Sequence, residues 1–235
     1  MSDRLYIVIP AYNEEQNIET VVKEWHEVAD RAGEDSRLVV IDDGSKDATY
    51  EKLQKLAENY PQLIPVTKKN SGHGATILYG YQYAVEQKAD YVFQTDSDGQ
   101  TLPNEFWPLW EARQDYDAQI GDRKGRQDGF SRVVVTKVLK FVLLLSFGKQ
   151  IADANTPFRL MSAASLQRHM DKIPKDYNLS NVLLTVLYEK AGDRIRYVPI
   201  TFRCRQGGVN SINMRRITRI GWRALKDFMT LRKTI

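Results

Sequence analysis

The chain has 235 residues, 42% of them hydrophobic, an ordinary content for one large α/β domain with a full core, or one such domain with a short appendage. A single cysteine, Cys204, excludes an internal disulfide and fits a reducing compartment. The net charge of +4 is uneven: from Phe202 onward there are nine Lys or Arg against one acid, while the preceding 201 residues carry a slight acidic excess. Such a basic tail on a mildly acidic body points to a polyanionic partner, or is simply a solvated helix face. No basic stretch followed by a long apolar run opens the sequence, so no secretory signal is expected. The longest apolar runs fall far short of the ~20 residues a membrane-crossing helix needs.

Residues 5–9 form a short apolar, β-branched run, a strand that Pro10 is expected to end. Asn13, with Gln16 three positions later, reads as the cap of a helix running to about Ala32 and stopped by Gly33. A second strand is expected at 38–41, then a helix from Ser45 to about Tyr60, stopped by Pro61. A third strand covers 64–67, a glycine-broken turn 71–74, a helix up to about Gln87, and a fourth strand 91–95. Strands alternating with helices predict a mostly parallel central sheet with helices on both faces. The second half is less regular. Helices are predicted over 104–113, 132–147, 180–190 and 214–231, and a strand over 196–203. One catalytic domain over 1–211 and a basic amphipathic helix over 212–235 is the simplest division.

In parallel α/β sheets, ligands bind beyond the carboxyl ends of the strands. Three polar segments fall at such ends: Pro10-Ala11-Tyr12-Asn13-Glu14-Glu15, Asp42-Asp43-Gly44-Ser45 and Asp96-Ser97-Asp98-Gly99-Gln100. Asp96 and Asp98 are two apart, which puts them on one face of an extended segment. Two adjacent carboxylates repel each other, and a Mg2+ or Mn2+ ion between them removes the repulsion and accepts diphosphate oxygens as well. Such an ion would act as a Lewis acid on a leaving nucleoside diphosphate. Asp42 can accept from a base N–H or from ribose hydroxyls while Ser45 caps the helix, or the whole segment is only a turn. The Ser71-Gly72-His73-Gly74 turn could offer backbone amides to phosphate at a helix start.

Together, Ile7-Val8-Ile9-Pro10-Ala11-Tyr12-Asn13-Glu14-Glu15, Val40-Ile41-Asp42-Asp43-Gly44-Ser45-Lys46-Asp47-Ala48-Thr49 and Asp96-Ser97-Asp98 resemble glycosyltransferase family 2. The resemblance implies the GT-A fold of nucleotide-diphospho-sugar transferases and inversion at the anomeric carbon. It implies that Pro10, Tyr12, Glu14 and Asp42 line the nucleoside site and that Asp96 and Asp98 hold metal and diphosphate. Within the family the likeness is to dolichyl-phosphate mannose synthases and bacterial polyprenyl-phosphate sugar transferases. There Asp96-x-Asp98-x-Gln100 matches the metal motif, Gln100 included. Gly121-Asp122-Arg123, Arg132 with Thr136, the Asp153-to-Arg159 segment, and Arg205 with Gly207, Gly208 and Ser211 match further elements. Pro157 and Thr136 depart from a usual Gly and Ser, and helix 180–190 lacks an acid before Glu189, where relatives often carry one.

The acceptor turns on a proton. A sugar hydroxyl needs a base, whereas a phosphate monoester is already anionic and needs only positioning. Arg123, Arg132 and Arg205 suit phosphate, with Thr136 beside Arg132. Asp153 is either a base or an orienter of an arginine, and with Asp98 and Arg123 it completes the catalytic set. The last helix places Ile217, Ile220, Ala224, Phe228 and Leu231 on one face and most of its arginines elsewhere, as a membrane-interface helix does, or as a packed or dimer-forming helix does. The expectation is a hexosyltransferase, peripheral at the cytoplasmic membrane face, that uses a UDP- or GDP-sugar, a divalent metal and a polyprenyl phosphate. A saccharide hydroxyl acceptor is the alternative, and a non-catalytic basic binding module the remote one; no nucleic-acid partner is expected.

Overall fold

The computed structural model describes residues 3–123 and 153–203. The expected helices 132–147 and 214–231, the boundary at 211, and with them Arg132, Thr136 and Arg205, lie outside the described residues.

The described strands are β1 (Leu5–Ala11), β2 (Arg37–Asp42), β3 (Leu63–Thr67), β4 (Tyr91–Gln94), β5 (Ala118–Arg123), β6 (Arg159–Ser162) and β7 (Ile195–Ile200). They form one sheet in the order β3-β2-β1-β4-β6-β5-β7, in which only β6 runs against its neighbours. The helices are α1 (Ile18–Ala32), α2 (Thr49–Ala57), α3 (His73–Glu86), α4 (Trp107–Glu111), α5 (Ala163–Met170) and α6 (Ser180–Ala191). A mixed α/β fold around a mostly parallel sheet is therefore observed, as expected.

All seven residues of β1 are buried because both faces of the sheet are covered. Leu5, Ile7 and Ile9 face α1, α2 and α4, joining Val22, Trp25, Leu53, Phe106 and Leu109. Tyr6 and Val8 face α3, α5 and α6, joining Ile77, Tyr81, Leu166, Leu183 and Leu187. On the first face Phe93 is the hub of an aromatic cluster, 4.8 Å from Phe158, 4.9 Å from Phe106 and 5.2 Å from Trp25 between ring centres. The pairs with Phe158 and Phe106 are edge-to-face, worth about 0.5–1.5 kcal/mol each beyond their area.

Three expectations change. Pro10 does not end β1 but lies inside it. Val8 accepts from Thr95 N–H on the β4 side, and Pro10, two residues on, faces that side beyond its last paired residue, so its missing N–H breaks no ladder bond. Asn13 does not cap α1, which starts at Ile18; it takes a left-handed φ of 55° and binds the loop after β2 instead. Ser45 does not begin α2 either: the helix starts at Thr49, whose N–H and hydroxyl both donate to Asp47 Oδ1. Strands β5 and β6 carry no apolar alternation that would announce them. They are extended because β6 is wedged between β4 and β5.

Helix α3 lies close against the sheet because Gly80 has no side chain. A Cβ there would run into Val8 and Ile41. Gly80→Val is expected to destabilise the protein by about 1–3 kcal/mol through overpacking, measured by urea unfolding.

Candidate active site

β1, β2 and β4 are adjacent and parallel, so the loops after them meet at one edge. β5 leaves the sheet at the same edge, and antiparallel β6 enters there, which brings the segment from Asp153 to Phe158 alongside. An open cleft of about 480 Å³ lies at this edge, lined by Pro10, Ala11, Tyr12, Glu14, Asp43, Asn70, Gly72, His73, Thr76, Asp96, Ser97 and Asp98.

The first two loops are stitched together by side chains that cap each other's backbone. Asn13 N–H donates to Ser45 Oγ (2.9 Å) and Lys46 N–H to Asn13 Oδ1 (2.8 Å). Glu14 N–H donates to Thr49 Oγ1 (2.9 Å) and Ala48 N–H to Glu15 Oε2 (3.1 Å). The two motifs separated in sequence are thus one structural unit. It holds Tyr12, 43% exposed, over the cleft and Glu14 in its wall.

The two adjacent acids after β2 do opposite things. Asp42, expected to face a ligand, is 2% exposed and turned inward. It accepts from Ser45 N–H (3.1 Å) and Thr67 Oγ1 (2.8 Å) and does not line the cleft. Asp43 lines it instead, ion-paired with Lys68 and accepting from Ser71 N–H and Gly72 N–H at 2.9 Å each. Burial alone would raise the Asp43 carboxyl. The bonds from Lys68, Ser71 and Thr76 outweigh it and hold the group below the usual carboxylate range. These bonds also occupy the amides of Ser71 and Gly72, which were expected to offer themselves to phosphate.

Asp96 and Asp98 both line the cleft. The reason differs from the one expected: β4 ends at Gln94, and the two acids stand on the turn beyond it, where Gln100 N–H donates to Asp98 Oδ1 (3.1 Å). Burial pushes Asp96 up to about 6, and the charge of Asp98 adds to this against the opposing pull of His73, Arg123 and Arg159. His73 Nε2 lies 3.8 Å from Asp96 Oδ1 on a largely exposed ring. Among the described residues no three His, Cys, Asp or Glu side chains cluster as a closed metal site. Two carboxylates at a cleft mouth are nevertheless the donor set a Mg2+ or Mn2+ ion takes when phosphate oxygens supply its remaining ligands. Gln100 is held elsewhere: its Nε2 donates to Arg203 carbonyl (2.8 Å), and it does not line the cleft.

Arg203 was not anticipated. It braces the turn of Asp98 from beneath, donating to Gly99 O (3.1 Å) and Thr101 O (3.0 Å) while pairing with Glu24. Arg123 and Asp153 form a bidentate pair at 2.6 and 2.8 Å, both side chains 9% exposed, with Phe202 against the guanidinium. Each Asp153 oxygen thus accepts one hydrogen bond from Arg123, which fixes the guanidinium. Arg159 is fully buried with no carboxylate ion-paired to it among the described residues. Its donors meet the carbonyls of Ala154, Thr156 and Asn181 and the hydroxyl of Thr185, on the helix noted for lacking an acid. Arg123, Asp153 and Arg159 stand in segments that the sequence singles out, whereas Arg203 carries no such signal.

Residues 6–172 match the family model for glycosyl transferase family 2, well over half of the chain. The chain belongs to glycosyltransferase family 2. It is 32% identical over 150 residues to an undecaprenyl-phosphate 4-deoxy-4-formamido-L-arabinose transferase of Pectobacterium atrosepticum, covering 63% of this chain and 45% of that protein. The chain thus spans less than half the length of such relatives. It is 28% identical over 190 residues to a UDP-N-acetylglucosamine–dolichyl-phosphate N-acetylglucosaminyltransferase of Methanococcus voltae, covering 71% and 73% of the two chains. A glucosyl-3-phosphoglycerate synthase of Mycobacterium tuberculosis, solved with Mn2+, UDP-glucose and phosphoglyceric acid, superposes with a TM-score of 0.71 over 99% of this chain and 80% of that one, at 19% identity. This family 2 glycosyltransferase has the GT-A fold, with its polar strand ends on one cleft.

The raised Asp96 has a consequence in the absence of metal. Its proton is held more tightly folded than unfolded, so the stability it contributes is full below about pH 4 and lost as pH rises through about 6. Asp96→Asn is expected to stabilise the metal-free protein on the order of 1–2 kcal/mol at pH 8 and leave it unchanged at pH 4, measured by urea unfolding at the two pH values.

Proposed function

We propose that this glycosyltransferase moves a hexose, with inversion, from a nucleotide-diphosphate sugar to a polyprenyl phosphate, using Mg2+ or Mn2+. In this reading the nucleoside lies among Pro10, Tyr12, Glu14 and Asp43, with Asp43 taking the part that adjacency in the sequence had left to Asp42. Asp96 and Asp98 would hold the metal, which supplies Lewis-acid neutralisation of the diphosphate when bound. The protein's own residues bind and orient. The loop stitching keeps the nucleoside wall rigid, and Arg203 keeps the Asp98 turn in place. Arg205, Arg132 and Thr136 remain part of the proposal as diphosphate and acceptor-phosphate contacts.

The observation that carries the acceptor assignment is the Arg123–Asp153 pair. A hydroxyl acceptor needs a carboxylate to take its proton, whereas each Asp153 oxygen here accepts a bond from Arg123, an arrangement suited to orienting that arginine. A phosphate acceptor arrives ionised and needs oriented N–H donors and not a base, and the guanidinium that Asp153 holds in place is such a group. Two relatives carry undecaprenyl phosphate or dolichyl phosphate in their names, which supports the same class. No helix among the described residues is long and apolar enough to cross a membrane. We assign contact with the lipid surface to the basic 212–235 segment, as a separate peripheral element beyond a catalytic domain of 1–211.

The test is turnover of UDP- and GDP-sugars with Mn2+ on a short-chain polyprenyl phosphate and, in parallel, on saccharide acceptors. Transfer to the lipid phosphate, lost by about a hundredfold or more in Asp98→Asn and strongly reduced in Arg132→Ala, is the expected result. Transfer to saccharides alone would reassign the acceptor to a hydroxyl.

A further inference from the structure

Behind Asp96, on the face of the sheet covered by α3 and α6, runs a row of buried polar side chains that donor binding does not use. Tyr81 and Gln94 are fully buried and Asn181 is 3% exposed. Tyr81 Oη lies 3.1 Å from Asn181 Oδ1 and 3.3 Å from Gln94 Oε1, Asn181 Nδ2 lies 2.9 Å from Gln94 Oε1, and Gln94 Nε2 lies 3.3 Å from Asp96 Oδ1. The row is directional. An ionised carboxylate only accepts, so Gln94 must present its N–H to Asp96. Its carbonyl then faces Asn181 and Tyr81: Asn181 donates to it through Nδ2, and the Tyr81 hydroxyl donates to Asn181 Oδ1 or to the same Gln94 carbonyl. The far end is anchored as well: the Asn181 backbone carbonyl accepts from Arg159 (3.1 Å) and from Thr185 (2.8 Å).

Burying three polar side chains costs free energy that an apolar trio would not. Gln94 in particular interrupts the otherwise apolar Tyr-Val-Phe-Gln of β4, and it does so at the last strand position before the acidic turn. We propose that Tyr81, Asn181 and Gln94 are positioning residues, a one-way hydrogen-bond relay that aims the Asp96 carboxylate into the cleft toward its cation. This rests on the reading of Asp96 and Asp98 as the metal carboxylates. The relay bonds Asp96 through Oδ1, and it ties the orientation of Asp96 to the first turn of α6. Asn181→Asp is the sharpest probe, because it keeps the shape but removes the donor. The introduced carboxylate then repels the Gln94 carbonyl and favours a turn of the amide that presents this carbonyl to Asp96, against the one remaining donor to it, the Tyr81 hydroxyl.

The experiment is titration of Mn2+ in the presence of UDP, following free Mn2+ by electron paramagnetic resonance. The proteins are wild type, Asp98→Asn, Gln94→Met, Asn181→Asp and Tyr81→Phe, each checked by thermal unfolding. Gln94→Met and Asn181→Asp are expected to weaken Mn2+ binding by about ten- to a hundredfold, as loss of outer partners of metal ligands does. Tyr81→Phe, which removes one hydroxyl and keeps the ring packing, is expected to weaken it about two- to threefold and serves if either other variant fails to fold. Mn2+ affinity equal to wild type in the folded variants, with Asp98→Asn still defective, overturns the relay and leaves the metal reading standing. Equal affinity in Asp98→Asn overturns both.

Discussion

The organising constraint of this protein is the crowding of carboxylates at one sheet edge. Asp42, Asp43, Asp96, Asp98 and Asp153 all stand there, and like charges held close in partly buried surroundings oppose folding unless each is answered. The protein answers most of them itself. Asp43 has Lys68 and two backbone amides, Asp42 has Ser45 and Thr67, and Asp153 has Arg123. Asp96 and Asp98 have no lysine or arginine ion-paired to them among the described residues, only the exposed His73 at 3.8 Å from Asp96. The imbalance is confined to the pair that lines the cleft, the place where a divalent ion and a diphosphate would complete it.

The answering groups come from distant parts of the chain, and this couples the site to the fold. Lys68 follows β3 and Arg123 ends β5. Phe158 and Arg159 show how tightly the coupling is made. They are consecutive in an extended segment, so they point to opposite faces. Phe158 inserts into the aromatic cluster under α1, and Arg159 reaches α6 through the Asn181 carbonyl and Thr185 hydroxyl. The segment carrying Asp153 is thereby fixed from both sides of the sheet, which gives the Arg123 pair its defined geometry.

How much of this was legible depended on range. The apolar, β-branched run of β1 and the glycine that stops α1 were readable because short apolar runs and chain punctuation are local. The polar strand ends were readable for the same reason, and with them the cleft position of Tyr12, Glu14, Asp96 and Asp98. Asn13 and Ser45 were misplaced as helix caps because a side chain that can cap its own helix can equally cap a neighbouring loop. Strands β5 and β6 were missed because pairing partners, not composition, hold them extended.

The sequence by itself determined the family, the alternating α/β plan and the set of acids at the strand ends, since each is written in short runs of residues. Only the tertiary structure decided which acid of each pair meets the cleft. Asp42 and Asp43 are the same residue type side by side; β3 and the loop after it supply Thr67 to one and Lys68 to the other, and so hold one carboxylate in and the other out. In the same way Asp153 became an orienter of Arg123, and Gln94 became the link to α6, because those partners lie 30 and 87 residues away along the chain and are brought near only when the sheet is assembled.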